Sequence, residues 1–136
     1  MTPEEAIQAI RSQHRAVLAT TRADGGVQMS PVAVGVDDDG TLLVSSRETA
    51  MKVKNLRRRP RAAVCVISDN FYGPWLQAEG DARIESLPGA MDALVRYYRS
   101  TVGEHPDWNE YREAMVKEQR VVIRIPVDRA GPNKQG

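Results

Sequence analysis

Short, largely apolar runs of strand length, separated by tight turns, recur along the chain and give way to helical spacing in a few places. The opening is helical: Thr2 stands as a cap, Pro3 takes the first helical position, and Ala6, Ile7 and Ile10 share one face. Residues 16–21 (AVLATT), 27–36 (VQMSPVAVGV) and 41–46 (TLLVSS) then read as strands separated by the turns ADGG and DDDG, which predicts an antiparallel meander. Pro31 interrupts the second of these, so that position must be a bulge or lie on a sheet edge, because proline has no N–H for the ladder. A short helix follows, with Thr49 as its expected cap, Ala50, Val53 and Leu56 on the apolar face, Lys52, Asn55 and Arg59 on another, and Pro60 ending it. Strands are expected at 61–68 and 74–85, the latter bent or bulged at Gly80. Leu87, Met91, Leu94, Val95 and Tyr98 repeat at helical spacing, as do Trp108, Tyr111 and Met115 behind a capping pair of Asp107 and Glu110. A last strand at 120–127 precedes a polar segment, 128–136, that reads as a flexible tail. Six strands, one small helix after the third and two helices before the last predict a mainly β fold, a closed or nearly closed barrel with helices packed outside.

Length changes this picture little, since 136 residues suit one domain, here 1–136, with a core of its own. Charge changes it more. The chain has 19 basic and 18 acidic residues, yet residues 47–61 hold seven of the basic ones and a single acid, Glu48. Confinement of the cations to so short a stretch fits a small anionic ligand and argues against a nucleic acid, whose backbone needs a basic face to track. Cys65 is the sole cysteine, which excludes an internal disulfide and suits a reducing compartment, so a cytoplasmic location is expected. Neither an apolar run of membrane-spanning length nor a basic-then-apolar leader is present in the sequence.

The basic stretch begins where a serine-rich strand end runs into a helix start. Ser45, Ser46 and Thr49 offer hydroxyls, the helix start offers N–H groups, and Lys52 follows one turn later, a pattern suited to phosphate. Lys54 and Arg58 could meet further negative charge, whereas the run Arg57, Arg58, Arg59 also reads as solvated charge at a helix end.

The ordered segments VLATTRADGGVQMSPV, LLVSS, KVKNLRRRPRAAVCV, AEGDARI and YRSTVGEHPDWNEYREAMVKEQRVVIRIP resemble the pyridoxamine 5′-phosphate oxidase-like split-barrel superfamily, and within it the actinobacterial branch of F420-dependent oxidoreductases. That resemblance implies an FMN-binding-like split β-barrel, homodimeric, with two cofactor clefts at the subunit interface. It implies coenzyme F420 as cofactor, with FMN as the alternative. Lys52, Lys54 and Asn55 match the K-x-[KR]-N-L motif whose basic residues hold the cofactor phosphate, and Ser45 and Ser46 match the strand end beside it. Gln28, Ser30, Pro31 and Val32 match the strand along the tricyclic ring, while Trp75 and Gln77 fall where a partner subunit closes the cleft. Arg57 or Arg58 would meet the carboxylates of a polyglutamate tail. Pyridoxamine-phosphate oxidases proper carry an R-x-H-like pair after the last strand. Here DRAGPNKQG has no histidine, which argues against pyridoxine-phosphate oxidation.

The function so implied is hydride transfer between F420 and a small conjugated acceptor, with the cofactor doing the chemistry and no protein nucleophile. Two alternatives stand beside it: an F420 carrier without turnover and an FMN protein of the same fold. His14 and His105 lie in no ligand or triad pattern and read as surface or capping residues, and Cys65 reads as inert core packing. Tyr72 and Trp75 suit either a ring stack or an apolar dimer interface.

Overall fold

In the computed structural model, which describes residues 1–132 and the backbone of 134–135, the chain forms two antiparallel sheets. Its elements run α1 (Pro3–Ile10), β1 (Arg15–Thr21), β2 (Val27–Ala33), β3 (Gly35–Val36), β4 (Leu42–Arg47), α2 (Met51–Arg58), β5 (Arg61–Ile67), β6 (Pro74–Asp81), β7 (Arg83–Ser86), α3 (Met91–Thr101), α4 (Trp108–Lys117), β8 (Arg120–Ile125), β9 (Arg129–Ala130) and β10 (Lys134–Gln135). The first sheet has the order β10-β6-β5-β1-β2, with β9 also on β6; the second has the order β3-β4-β8-β7. The mainly β barrel predicted from the pattern is therefore present.

The expected meander is corrected in one respect. The segment 27–36 pairs with β1 only as far as Ala33, then passes through the buried Val34 into the second sheet, where Gly35–Val36 pairs with β4. Residues 74–85 divide in the same way at the buried Ala82, β6 remaining in the first sheet and β7 joining β8 in the second. Strands that change sheets at single residues are how two packed sheets share one core at their corners. That core takes Ala16, Leu18, Val64, Val66, Leu76 and Ala78 from the first sheet and Val36, Leu42, Val44, Val121, Ile123 and Ile125 from the second. The ends are plugged by Ala6 and Ile10 of α1 and by Val53 and Leu56 of α2.

Outside the second sheet, Leu43 and Val122 pack under α3 and α4 with Leu94, Tyr111 and Met115. The Tyr111 hydroxyl donates to the Leu94 carbonyl (2.7 Å), and burial pushes its pKa up to about 12. Asp37, 4% exposed, fastens this side: Arg96 Nε of α3 lies 2.6 Å from one carboxylate oxygen and Arg124 Nη2 of β8 lies 2.9 Å from the other.

The caps differ in part from expectation. Thr2 and Glu5 form a full capping box on α1. Thr49 does not cap α2; Ala50 holds that position without a side-chain bond. Asp107 caps α4 by accepting from Asn109 and Glu110, but its own N–H goes to His105 Nδ1 (2.9 Å) rather than to Glu110. The tail, expected to be flexible from 128, is held through Ala130. Asp128 accepts both Nη groups of Arg61 (2.7 and 2.8 Å), and Ala130 pairs with Ala78. Residues 133 and 136 lie outside the described residues.

Candidate functional site

β2 is the outer strand of its sheet and pairs only with β1 among the described residues. The N–H of Val34 bonds the His14 carbonyl and the N–H of Arg22 bonds the Gly26 carbonyl, both at 2.8 Å and both in the register of the β1–β2 ladder. Bonded and non-bonded pairs alternate in an antiparallel ladder, so the even-numbered residues of β2 carry the bonds. The backbone groups of Met29, Pro31 and Ala33 therefore turn to the free edge. The expected edge position of Pro31 is confirmed, and its missing N–H costs the ladder nothing. The edge groups belong to 29, 31 and 33, one residue out of phase with Gln28, Ser30 and Val32, whose side chains face inward.

α2 lies against this inward face. Lys52 Nζ donates to Ser30 Oγ (3.3 Å); Asn55, fully buried, donates through Nδ2 to Thr20 Oγ1 (3.0 Å) and Gln28 Oε1 (3.1 Å). One turn later the Arg59 guanidinium comes within 3.9 Å of where a Cβ on Gly25 would sit. The predicted helical row of Lys52, Asn55 and Arg59 thus runs down the β1–β2 hairpin. Asn55 is a structural hub here as much as a ligand candidate: its Oδ1 accepts Arg58 Nη2 at 2.8 Å.

Between the free edge of β2 and the end of β4 opens a cleft of about 420 Å³, whose lining includes Pro31, Val32, Ser45, Ser46, Lys52 and Arg120. Tyr97 of α3 spans the divide beside it. Its hydroxyl donates to the Ala33 carbonyl (2.9 Å), and burial raises its pKa, while the facing Ser45 amide works in the opposite direction. The Lys52 pKa is lowered, first by burial and then by the charge of Arg120. Arg120 was not singled out by sequence reasoning. It reads there as the polar start of an apolar strand, and only the pairing of β8 with β4 brings it opposite Arg47 and beside the cleft.

The cations of the basic stretch fall into two groups. Arg47 is 3.5 Å from Glu118, Arg57 is 2.6 Å from Glu48, and Arg61 is paired with Asp128. Among the described residues, Lys52, Lys54, Arg58 and Arg59 have no carboxylate at ion-pair distance. Arg57 shares its charge with Glu48 in an exposed pair, whereas Arg58 has no described carboxylate beside it.

Trp75 and Gln77 do not join the cleft within one chain. They lie on the outward face of β6, the side opposite the core positions Leu76 and Ala78. That face continues across Cys65, Val17, Pro31 and Met29 by cross-strand pairing. Cys65 is consequently not a core residue: Val64 and Val66 point inward at 0% exposure, and Cys65, one position away, is half-buried on the other side. Val27 (57% exposed), Met29 (68%), Phe71 (71%) and Tyr72 (70%) add to the same outward apolar surface. His14 bonds the Val34 carbonyl through Nδ1 (2.7 Å), and His105 sits among Tyr98, Trp108 and Tyr111; neither lines the cleft.

Two sheets that exchange strands around one core, with a cationic cleft at their divide, define a split β-barrel. The chain belongs to the pyridoxamine 5′-phosphate oxidase family, whose profile matches residues 2–133. Among solved structures, a conserved hypothetical protein of Mycobacterium tuberculosis is 25% identical with a TM-score of 0.77, over 96% of this chain and 82% of the other. An F420 reductase is 21% identical (TM-score 0.68, covering 91% and 94%). The heme storage protein HutZ of Vibrio cholerae is 16% identical (TM-score 0.72, covering 100% and 98%). At these identities the likeness is one of fold. No helix among the described residues is long and apolar enough to cross a membrane.

Proposed function

We propose that the chain is an F420H2-dependent oxidoreductase acting on a small conjugated organic acceptor. The observation that carries this reading is the convergence of Lys52, the serine-lined end of β4 and the backbone edge of β2 on one cleft, with Lys54, Arg58 and Arg59 beyond it and no described carboxylate at ion-pair distance from any of the four. This donor set fits the group. Lys52 with the Ser45 and Ser46 hydroxyls would hold the phosphate, the edge carbonyls of Met29 and Pro31 and the N–H groups of Met29 and Ala33 would meet the polar rim of the ring, and the outer cations would meet tail carboxylates. Reduced F420 would supply the hydride, and the protein would position the acceptor and exclude water. Protonation of the product would come from solvent or from a bound acid.

A side-by-side titration with F420 and FMN, followed by tryptophan quenching, tests the reading. Tight, salt-sensitive F420 binding supports it, and preference for FMN moves the chain to the flavin branch. Binding of F420H2 without oxidation by any acceptor would make it a carrier. Lys52→Gln is expected to weaken F420 binding about 10- to 100-fold, the worth of one charge-assisted hydrogen bond. Its melting temperature should stay level or rise slightly, because a half-buried ammonium facing Arg120 is relieved. An unchanged affinity in the folded variant rejects the phosphate assignment.

The outward apolar face of the first sheet suits a second copy of the chain, which would bring Trp75 and Gln77 to the partner's cleft. Sedimentation should show a dimer, and Met29→Arg should shift it to monomer with loss of cofactor affinity. A monomeric wild type with full affinity rejects this arrangement.

A further inference from the structure

We infer that Arg120 is the second cation of the phosphate subsite, facing Lys52 across the cleft and selecting ligands that carry the phosphate. This rests on the cofactor reading given above and extends it to a residue that the sequence motif does not contain.

Arg120 opens β8 directly opposite Arg47 of β4, and both arginines line the cleft with Lys52. Like charges facing each other across a ladder are unfavourable, so their arrangement requires a counter-charge. Glu118 supplies part of it: one of its oxygens accepts from Arg120 Nε (3.0 Å) and Nη2 (2.8 Å), and lies 3.5 Å from Arg47 Nη2. One carboxylate against two guanidinium groups and an ammonium leaves an excess of positive charge that no described residue neutralises.

The geometry of Arg120 is fixed as well as its charge. Glu118 occupies the Nε–Nη2 edge, and Nη1 makes no hydrogen bond to any described residue, so donors remain for a ligand. The turn that delivers the side chain is tight. Gln119 takes a φ of 54°, and its carbonyl is tied to the Glu48 N–H at 2.9 Å. Only 26% of the Arg120 side chain is exposed, so its charge is partly desolvated and acts at close range on whatever enters between it and Lys52. The lowered pKa of Lys52, to which Arg120 contributes, agrees with that proximity. A phosphate placed there would meet a guanidinium fork from one side and a point-charge ammonium from the other, beside the end of β4 that carries Ser45 and Ser46.

The test is a binding cycle with Arg120→Gln, using F420 and FMN and, for each, the ring-and-ribityl counterpart that lacks the phosphate (riboflavin for FMN). The phosphorylated cofactor that the wild type takes should bind the variant about 10- to 100-fold more weakly, with reduced salt sensitivity. The phosphate-free counterpart should change by less than about threefold. Arg112→Gln, at an exposed arginine of α4, controls for net charge and should leave both affinities unchanged. Should Arg120→Gln fail to fold, Arg120→Lys keeps the charge and removes the fork, and should give an intermediate loss confined to the phosphorylated ligand. Equal losses with and without the phosphate, or none, overturn the assignment of Arg120 alone. A wild type that binds neither F420 nor FMN overturns the cofactor reading, and this inference with it.

Discussion

Substitution of Gly80 by alanine is expected to destabilise the fold by about 3 kcal/mol or more, lowering the melting temperature by roughly 10 °C. A Cβ at this position would lie 1.9 Å from the Pro126 carbonyl oxygen and 2.9 Å from its carbon. The obstacle is backbone, so no rotamer change relieves it. Pro126 follows β8 where the chain leaves the second sheet and crosses onto β6, and the next contact, Asp128 N–H to the Glu79 carbonyl, holds that crossing in place. Alanine must therefore push apart the two sheets or detach the segment that carries Arg129–Ala130. Denaturant unfolding monitored by Trp108 would show it as a lower midpoint, and a midpoint equal to that of the wild type would mean that the crossing adapts freely.

Asp37→Ala is expected to cost about 3–5 kcal/mol by taking the central carboxylate from a cluster in which Arg124 is largely buried, while Arg96, 38% exposed, can turn to solvent. Arg124 has 13% of its side chain exposed; it would keep Glu85 at 3.3 Å and Asp39 at 3.4 Å, which places the cost toward the lower end. The same carboxylate gives the protein an acid limit. Burial alone would raise the Asp37 pKa, but the hydrogen bonds from Arg96, the Asp38 amide and Arg124 outweigh it and hold the group below its ordinary value. A carboxyl that binds its proton less readily when folded stabilises the protein fully above the unfolded-state value near 4, and loses that contribution as the pH falls through the folded one. Wild-type melting temperatures should accordingly drop below about pH 4, and Asp37→Asn should drop less over the same interval. Parallel curves for the two proteins would show that Asp37 does not set the limit.

Much of this was legible in the residue pattern. The apolar runs at 61–68 and 120–127, the apolar face of 50–56 and the Pro31 edge position all rest on local composition, period and proline chemistry, and those survive folding. The sheet changes at Val34 and Ala82 were not legible, because inward and outward positions keep alternating across them and nothing local marks which neighbour a strand will choose. The same holds for Cys65, whose apolar neighbours disguise the face it occupies. In the site, Lys52 and the β4 serines announced themselves by proximity in sequence. Arg120 did not, since its relevance comes from pairing with a strand more than 70 residues earlier. The pairing of Arg57 with Glu48 was not legible either, since nothing local fixes which carboxylate a surface arginine meets.

The single-residue passage of the chain through Val34 also bears on how a ligand is received. Val34 is fully buried, its N–H is fixed to the His14 carbonyl, and the imidazole of His14 returns a bond to the Val34 carbonyl. One wall of the cleft begins at this point, while Tyr97 pins the adjacent Ala33. The conformational entropy of assembling that wall is consequently spent when the protein folds rather than when a ligand arrives, so more of the contact energy is retained as affinity. The same rigidity would make the wall a poor adapter: a ring system that did not match its spacing would be refused rather than accommodated.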